Sequence, residues 1–190
     1  VCSSDLDEAN KGTITGATTS HGVTYNTAVT NIPNLPTAAN GYGLDGYYTS
    51  QNGEGTKLFN GDGTCIASVD GYTDANKKWI RDDNSVKLYA YFKKAEITGF
   101  TFSTGSSVVE PSTDMTVAAT LSPTPQPTTH IDWRILHSND NPLDDQPSFG
   151  TGITTNTFAS PTTSGMYKME ATLRTGNVAN AGTVLSTYTA

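Results

Sequence analysis

Apolar residues recur along this chain mainly at every second position, a period that is typical of β-strands. No stretch sustains the three- and four-residue spacing of an amphipathic helix. Asn-Gly and Asp-Gly dipeptides, which suit the positive φ of tight turns, separate many of the alternating stretches. The sequence therefore predicts an all-β protein.

The alternation predicts strands at 13–15, 23–25, 43–49, 57–59 and 86–92 in the first half, and at 97–103, 115–121, 130–136, 154–158, 165–173 and 184–189 in the second. One short helix is predicted at 74–80, with Asp74 as its N-cap. The proline-rich stretch 123–127 predicts a stiff loop, since proline gives no N–H to a strand ladder.

The length of 190 residues allows one ordinary domain or two small ones. We expect a doubtful start at 1–12, a first module at 13–95 and a second at 96–190, joined without a flexible Gly/Ser linker. The opening letters VCSSDL resemble translated sequencing-adapter sequence, so we expect Cys2 not to be biological and Cys65 to be a lone thiol. Both ends are expected to be cut, the second module inside a strand-like run.

The formal net charge is −7, and the sequence holds no Lys/Arg cluster to offset it. Phosphate backbones and anionic lipid surfaces both require such a cluster, so neither nucleic acid nor a membrane surface is an expected partner. No window approaches the roughly 18 consecutive apolar residues of a membrane-spanning helix. We therefore expect an extracellular or cell-surface segment, anchored through parts of the protein outside this sequence.

Four segments of the first half read together as one pattern: YNTAV, GYGLDGYYTSQNGEGTKLF, NGDGT and NSVKLYAYFKK. They resemble the Listeria-Bacteroides repeat, also described as the internalin B-type repeat. The matching blocks are Gly41, Tyr42, Leu44, Gly46, Tyr47 and Tyr48, then Gly53, Gly55 and Thr56, then Leu88, Tyr89, Ala90 and Phe92. The connection VDGYTDANKKWIRDD is longer than the family's, and residues 13–22 match it loosely. The resemblance implies a small β-grasp-like module, repeated in exported or wall-attached bacterial proteins as a spacer or adhesive stalk, without catalytic residues.

Alternation within that half predicts which side chains face the core. In the closing strand Val86, Leu88, Ala90 and Phe92 should point one way, and Lys87, Tyr89 and Tyr91 the other. In the earlier strand we expect Tyr42, Leu44 and Gly46 on one face and Gly43, Asp45 and Tyr47 on the other. Gly46 is expected to permit a bulge or a close aromatic neighbour.

In the second half Trp133 lies between Ile131 and Ile135, and the segment SGMYKMEATL follows about 30 residues later. This resembles the bacterial immunoglobulin-like sandwich, in which a tryptophan packs between the sheets and a tyrosine begins a later strand. The resemblance implies that the Tyr167 hydroxyl bonds a backbone group a few residues upstream. The cysteine pair of antibody domains is absent from this half.

Catalysis is not predicted. The histidines are His21, His130 and His137, and no nucleophile signature surrounds Cys65. Paired carboxylates occur at 82–83 and 144–145, in polar loops where they are ordinarily solvated. The chain is therefore expected not to be an enzyme and to need no cofactor.

Two binding features stay open. The segment SNDNPLDD offers oxygen ligands of the kind Ca²⁺ prefers, with Asp140, Asp144 and Asp145 as the weak candidates, although an ordinary acidic turn is favoured. An aromatic platform for sugar rings is the second feature, and its candidate residues are Tyr47, Tyr48, Tyr72, Trp79 and Tyr91. The sequence thus predicts a non-catalytic display or adhesion module with a host or microbial surface protein or glycan as partner; the alternative is a carbohydrate-binding accessory module of an exported polysaccharide-utilisation protein.

Overall fold

The computed structural model describes the backbone of residues 4–6, and residues 11–82, 85–102, 110–111, 113–124, 129–143, 155–159, 161–176 and 178–190. Its strands are β1 Ser4–Leu6, β2 Gly12–Thr13, β3 Thr37–Ala38, β4 Tyr42–Tyr48, β5 Lys57–Asn60, β6 Leu88–Lys94, β7 Glu96–Phe102, β8 Asp114–Ser122, β9 Thr129–His137, β10 Thr155–Ala159, β11 Tyr167–Thr175 and β12 Val184–Thr189. A single 3₁₀ turn at Gln51–Gly53 is the one helical element in these ranges. The predicted all-β class is confirmed, and within the same ranges no helix is long and apolar enough to cross a membrane.

Two compact units make up the chain, Val1–Lys94 (unit 1) and Ala95–Ala190 (unit 2). Each has its own hydrophobic core. The division between Lys94 and Ala95 lies one residue before the boundary expected between 95 and 96, and Ala95 alone separates β6 from β7. Residues 4–6, within the start that we treat as doubtful, form β1.

Unit 1 is built on a mixed sheet with the strand order β1-β6-β4-β5, in which β1 pairs with β6 in parallel and the other pairs are antiparallel. Leu88, Ala90 and Phe92 of β6 are at most 1% exposed, whereas Tyr89 and Tyr91 are half-buried. The predicted two faces of this strand are confirmed. The short strands β2 and β3 form a separate antiparallel pair.

A bulge interrupts β4. The register against β6 shifts between Leu44 and Gly46, which leaves Asp45 as the extra residue and confirms the bulge expected at Gly46. A Cβ atom on Gly46 would lie 2.3 Å from the carbonyl oxygen of Phe59, so glycine is required for this approach. The extra residue reverses the alternation, and Tyr47 turns into the core; the prediction that Tyr47 shares a face with Asp45 is wrong for this reason.

The helix predicted at 74–80 is absent, and turns with isolated bridges at Lys78 and Trp79 take its place. The Asp74 carboxylate accepts the backbone N–H groups of Asn76 and Lys78, both at 2.8 Å, and Lys77 has a φ of 59°. Such a side-chain-to-backbone turn competes with a helix for the same N–H groups. Residues 23–25 likewise form no strand, and Tyr25 contributes only a bridge to Trp79.

The described residues of unit 2 form two three-stranded antiparallel sheets, with the orders β10-β8-β7 and β12-β11-β9. The two sheets share one core, as in a β-sandwich. Trp133 on β9 is 4% exposed, and its ring centroid lies 5.4 Å from that of Phe100 on β7 and 5.9 Å from that of Phe158 on β10. The predicted packing of this tryptophan between sheets is confirmed.

The start of β11 carries the predicted tyrosine contact. The Tyr167 hydroxyl donates a hydrogen bond to the backbone carbonyl of Thr163 at 2.9 Å, four residues upstream. This bond fixes the chain where it enters β11. The predicted contact of the Tyr167 hydroxyl with an upstream backbone group is confirmed.

Replacing Tyr167 with phenylalanine is expected to lower the free energy of unfolding of unit 2 by about 1 kcal/mol, because the ring stays and one hydrogen bond is lost. Urea unfolding followed by circular dichroism measures the change. Tyr188→Phe is the matched control, since its ring packs on Phe100 and its hydroxyl makes no hydrogen bond among the described contacts. Equal losses in the two variants would show that the Thr163 bond contributes nothing.

Candidate functional site

Cys65 lies in the core of unit 1 with 2% of its surface exposed. Its Sγ contacts the carbonyl oxygen of Ile66 at 3.6 Å, which is an acceptor and not a base. Burial raises the pKa of the thiol, and the charge of Lys77 offsets that rise only in part. The described surroundings therefore disfavour the thiolate that nucleophilic catalysis needs.

In a Cys2→Ser background, we expect Cys65 to react with a disulfide reagent at neutral pH at least about a hundredfold more slowly in the native protein than in urea, since both burial and the raised pKa suppress the thiolate. Absorbance of the released thiolate follows the reaction. Comparable native and denatured rates would contradict the buried position.

The second buried polar group is a network at one end of unit 2. His130 donates through Nδ1 to the carbonyl oxygen of Gly176 at 2.9 Å, and its Nε2 lies 3.3 Å from Asp132 Oδ1. Arg174 Nε contacts Asp132 Oδ2 at 2.7 Å, and the backbone N–H of Asn180 reaches the same carboxylate. These bonds tie the turn after β11 to β9. The described partners of His130 and Asp132 are backbone groups and charged side chains, and no Ser, Cys or Thr nucleophile is among them. This network therefore has a structural arrangement and not that of a nucleophile with its base.

Of the three calcium candidates, the structure describes Asp140. Asp140 makes an ion pair with Lys168, whose Nζ lies 2.6 Å from Oδ1, and Asp144 and Asp145 fall outside the described residues. Where the structure describes the chain, no three His, Cys, Asp or Glu side chains converge on a metal-sized site. Calcium binding stays a prediction that a calorimetric titration checks.

The five aromatic candidates do not form one surface. Tyr47 is 1% exposed and Trp79 is 6% exposed, so both are core residues with their faces covered. Tyr72 packs edge-on against Trp79, with the Arg81 guanidinium 4.6 Å from its ring centroid. Tyr48 packs edge-on against Tyr91 in a different contact, with 5.9 Å between the ring centroids. A sugar platform therefore stays a prediction only for the half-buried Tyr48, Tyr72 and Tyr91.

Of the three half-buried tyrosines, Tyr48 has polar contacts with both a carboxylate and an ammonium group. Because the bulge turns Asp45 outward, its carboxylate accepts a hydrogen bond from the Tyr48 hydroxyl and lies 2.9 Å from Lys57 Nζ. The Lys57 ammonium also lies 5.6 Å from the centre of the Tyr48 ring. The neighbouring Tyr91 ring packs against Gly53, where a Cβ atom would lie 2.7 Å from the Cδ1 atom of the ring.

These contacts shift two pKa values. Burial raises the pKa of Asp45, but the hydrogen bond from Tyr48 and the ion pair with Lys57 outweigh it, and the net pKa is lowered. Burial and the neighbouring Asp45 carboxylate raise the pKa of the Tyr48 hydroxyl. The tyrosine stays a donor and the aspartate stays charged at neutral pH.

The lowered pKa of Asp45 predicts a pH dependence of unit 1. A carboxyl group whose pKa is lower in the folded state stabilises the fold above its ordinary value of 3.8, and this contribution is lost as the pH falls through the folded value. We expect Asp45→Asn to lower the melting temperature of unit 1 at pH 7 and to have less effect as the pH approaches 3. A difference that stays constant over this range would contradict the assignment.

Sequence reasoning missed the residues that accompany Tyr48 and Tyr91. Tyr89 lies directly opposite Tyr48 in the β4–β6 register, and Lys87 Nζ lies 4.9 Å from the Tyr89 ring centroid. The alternation of Lys87, Tyr89 and Tyr91 was a sufficient signal for a shared face. Tyr48 lies between Tyr89 and Lys57 in the strand register, and the sequence does not specify that register.

Comparison with protein-family models, with curated proteins and with solved structures finds no match.

Proposed function

We propose that the chain is a non-catalytic display or adhesion segment, a stalk or spacer, of a bacterial exported repeat protein. The observation that carries the proposal is the presence of two β units in direct succession, each with its own core, with Ala95 alone between the last strand of one and the first of the next. Units of this kind extend a chain without needing a reactive site.

The topology of unit 2 supports the proposal. Its sheet orders correspond to strands A-B-E (β7, β8, β10) and C-F-G (β9, β11, β12) of the immunoglobulin sandwich. Trp133 then falls on strand C and Tyr167 at the start of strand F, the two positions that this fold uses for its core tryptophan and tyrosine corner. Sandwiches of this architecture recur in cell-surface proteins.

The blocks that resemble the Listeria-Bacteroides repeat support the proposal from unit 1. The Gly-Tyr block lies on β4, the Gly-rich turn carries the 3₁₀ element before β5, and the closing Leu-Tyr-Ala block lies on β6. The three blocks thus occupy one folding unit built around neighbouring strands. A sequence pattern whose blocks all lie in one folding unit suits a module that is copied in tandem.

A surface-display experiment tests the spacer role. The chain is placed between a membrane anchor and an epitope tag on a bacterial host, and a Gly/Ser linker of the same length is the control. We expect the tag to be labelled on intact cells and to survive protease treatment that removes it from the linker control, because folded β units protect their backbone. Equal loss of the tag from the displayed chain and from the linker control would reject the spacer role.

Carbohydrate binding is the second candidate function, and the half-buried Tyr48, Tyr72 and Tyr91 favour it. Aromatic rings that keep one side accessible can pack against the C–H faces of sugars. An array of neutral and acidic glycans probed with the purified chain tests this candidate. Absence of any bound glycan would remove it and leave the spacer role untouched.

A further inference from the structure

A histidine is buried at the end of unit 2 where β11 turns into β12. His130 on β9 is 3% exposed and lies directly opposite Arg174 in the β9–β11 register. Its ring Nδ1 lies 2.9 Å from the carbonyl oxygen of Gly176, which can only accept a hydrogen bond, so Nδ1 carries a proton. The other ring nitrogen therefore decides whether the side chain is charged.

That second nitrogen lies beside a carboxylate. Nε2 of His130 is buried without an aligned hydrogen bond among the described contacts, and it lies 3.3 Å from Asp132 Oδ1. In a neutral histidine with its proton on Nδ1, Nε2 holds a lone pair. Two acceptors then lie side by side in a buried place without a donor between them, which is unfavourable. A proton on Nε2 converts the same contact into an ion pair.

The Asp132 carboxylate also holds the β11–β12 turn, residues 176–183. Its Oδ2 accepts Arg174 Nε at 2.7 Å, and its Oδ1 accepts the backbone N–H of Asn180 at 3.2 Å. The turn includes Val178, whose side chain is 62% exposed. The contacts of Asp132 therefore help to set how firmly this apolar group is held at the surface.

We propose that His130, Asp132 and Arg174 form a pH-sensitive latch on the β11–β12 turn, which closes when His130 takes up a proton at Nε2. The added N–H donates to Asp132 Oδ1, while Arg174 stays on the other oxygen of the same carboxylate. Gly176 and Asn180, both in the turn, are then held by one connected cluster on β9. The latch depends neither on the display role nor on carbohydrate binding.

The charges around His130 act in opposite directions. Burial and the Arg174 guanidinium oppose a second positive charge, whereas the Asp132 carboxylate favours it. Arg174 contacts Oδ2, so its repulsion acts across the carboxylate, while the attraction acts directly at the 3.3 Å contact with Oδ1. The next charged groups along this face of β9 and β11 are Arg134 and Glu170, which pair with each other at 3.4 Å. The geometry therefore favours the protonated ring.

The sign of the pH dependence follows from this preference. A histidine that takes up its proton more readily in the folded chain stabilises the fold below about pH 6.5, where free histidine side chains titrate, and the contribution is lost as the pH rises. The latch also needs the charge of Asp132, and aspartate side chains generally lose their charge near about pH 4. We therefore expect the β11–β12 turn to be held most firmly between these two values.

Hydrogen exchange of the Asn180 amide, followed by NMR on the full chain, tests the latch. The exchange rate is measured at about pH 5.5 and about pH 8 and divided by the intrinsic rate at each pH. We expect the protection factor of this amide to be about tenfold higher at the lower pH. Protection that is equal at the two values, or lower in acid, would overturn the inference, because the buried ring would then not gain its proton on folding.

Replacing His130 with asparagine assigns the effect to this ring. The amide N–H of the new side chain can still donate to the Gly176 carbonyl oxygen, but it takes up no proton, so the Asn180 protection factor should lose its pH dependence. The matched control is His137→Asn, at the opposite end of β9, which should keep the tenfold change. A His130→Asn variant that folds and still shows the full pH dependence would reject the latch.

Two further variants test the carboxylate. Asp132→Asn keeps an oxygen acceptor for Asn180 but removes the negative charge, so the gain in acid should disappear. Asp144 and Asp145 lie outside the described residues, and the Asp144→Asn/Asp145→Asn variant should keep the gain. Loss of the gain in that variant, with retention in Asp132→Asn, would transfer the effect to another carboxylate and overturn the inference. Circular dichroism confirms that each variant is folded, and the unsubstituted chain decides the direction if a variant is not.

Discussion

Replacing Gly61 with alanine is expected to lower the free energy of unfolding of unit 1 by about 3 kcal/mol, because the added methyl group meets backbone that cannot move aside. An ideal Cβ at this position would lie 1.8 Å from the carbonyl oxygen of Leu44 and 2.9 Å from its carbonyl carbon. Leu44 is held in register with Phe92, just before the β4 bulge. Relief of the clash must therefore displace β4 or the turn that follows β5.

The thiol of Cys65 gives a readout confined to unit 1, since it becomes reactive only when that core opens. Urea titration in the Cys2→Ser background, monitored by pulsed thiol labelling, locates the transition of this unit. Gly22→Ala is the matched control, because a Cβ there has nothing within 4 Å and its φ needs no glycine. Equal transition midpoints for the two alanine variants would show that the Leu44 contact imposes no constraint.

Strand positions were predictable where one face of the strand is buried and the other is exposed to solvent. In unit 2 the strand predicted at 115–121 lies within β8, where Met115, Val117 and Ala119 are buried and the residues between them are not. Alternation determines such strands because a shift of one residue would expose every core side chain. The hydrogen bond from Tyr167 was expected from the resemblance to the immunoglobulin-like sandwich, and the structure contains it.

The errors came from single residues that override a pattern. Asp74 captures backbone N–H groups that a helix would have used, and a Pro- or Gly-based rule does not detect that competition. Asp45 is inserted in β4 as a bulge, which reverses the direction of Tyr47 beyond it. The bulge requires knowledge of the partner strand β6, which lies elsewhere in the chain, whereas the turn at Asp74 is local and is one of two structures that the same residues can form.

The candidate site was only partly predictable for a related reason. Tyrosine and tryptophan were selected by their chemistry, yet Trp79 is covered by the core and Tyr89 was left out. Lys57 and Lys87 are thirty positions apart in sequence and reach one face only through the pairing of β4 with both β5 and β6. Exposure and neighbourhood are properties of the tertiary register, and they decide which aromatic residues are available to a ligand.

Replacing Trp133 with alanine is expected to have the largest effect in unit 2, a loss of about 4 kcal/mol in its free energy of unfolding. The indole is 4% exposed and fills the space between the two sheets, in contact with Phe100 and Phe158. Its removal leaves a cavity beneath Phe100 and Phe158, which both lie on the sheet that faces β9. Trp133→Phe retains an aromatic ring there and should cost less than half as much.

The same variant separates the two cores. The chain has two tryptophans, so Trp133→Ala leaves Trp79 in unit 1 as the sole indole fluorophore. Circular dichroism should then show an early transition from unit 2, while the Trp79 emission changes at the urea concentration at which Cys65 becomes labelled in the unsubstituted chain. Because each core is composed of its own unit's residues, we expect the core of unit 1 to stay closed when the core of unit 2 opens. A Trp79 transition that moves together with the dichroism change would show that the two cores unfold as one, and would remove the observation on which the display role depends.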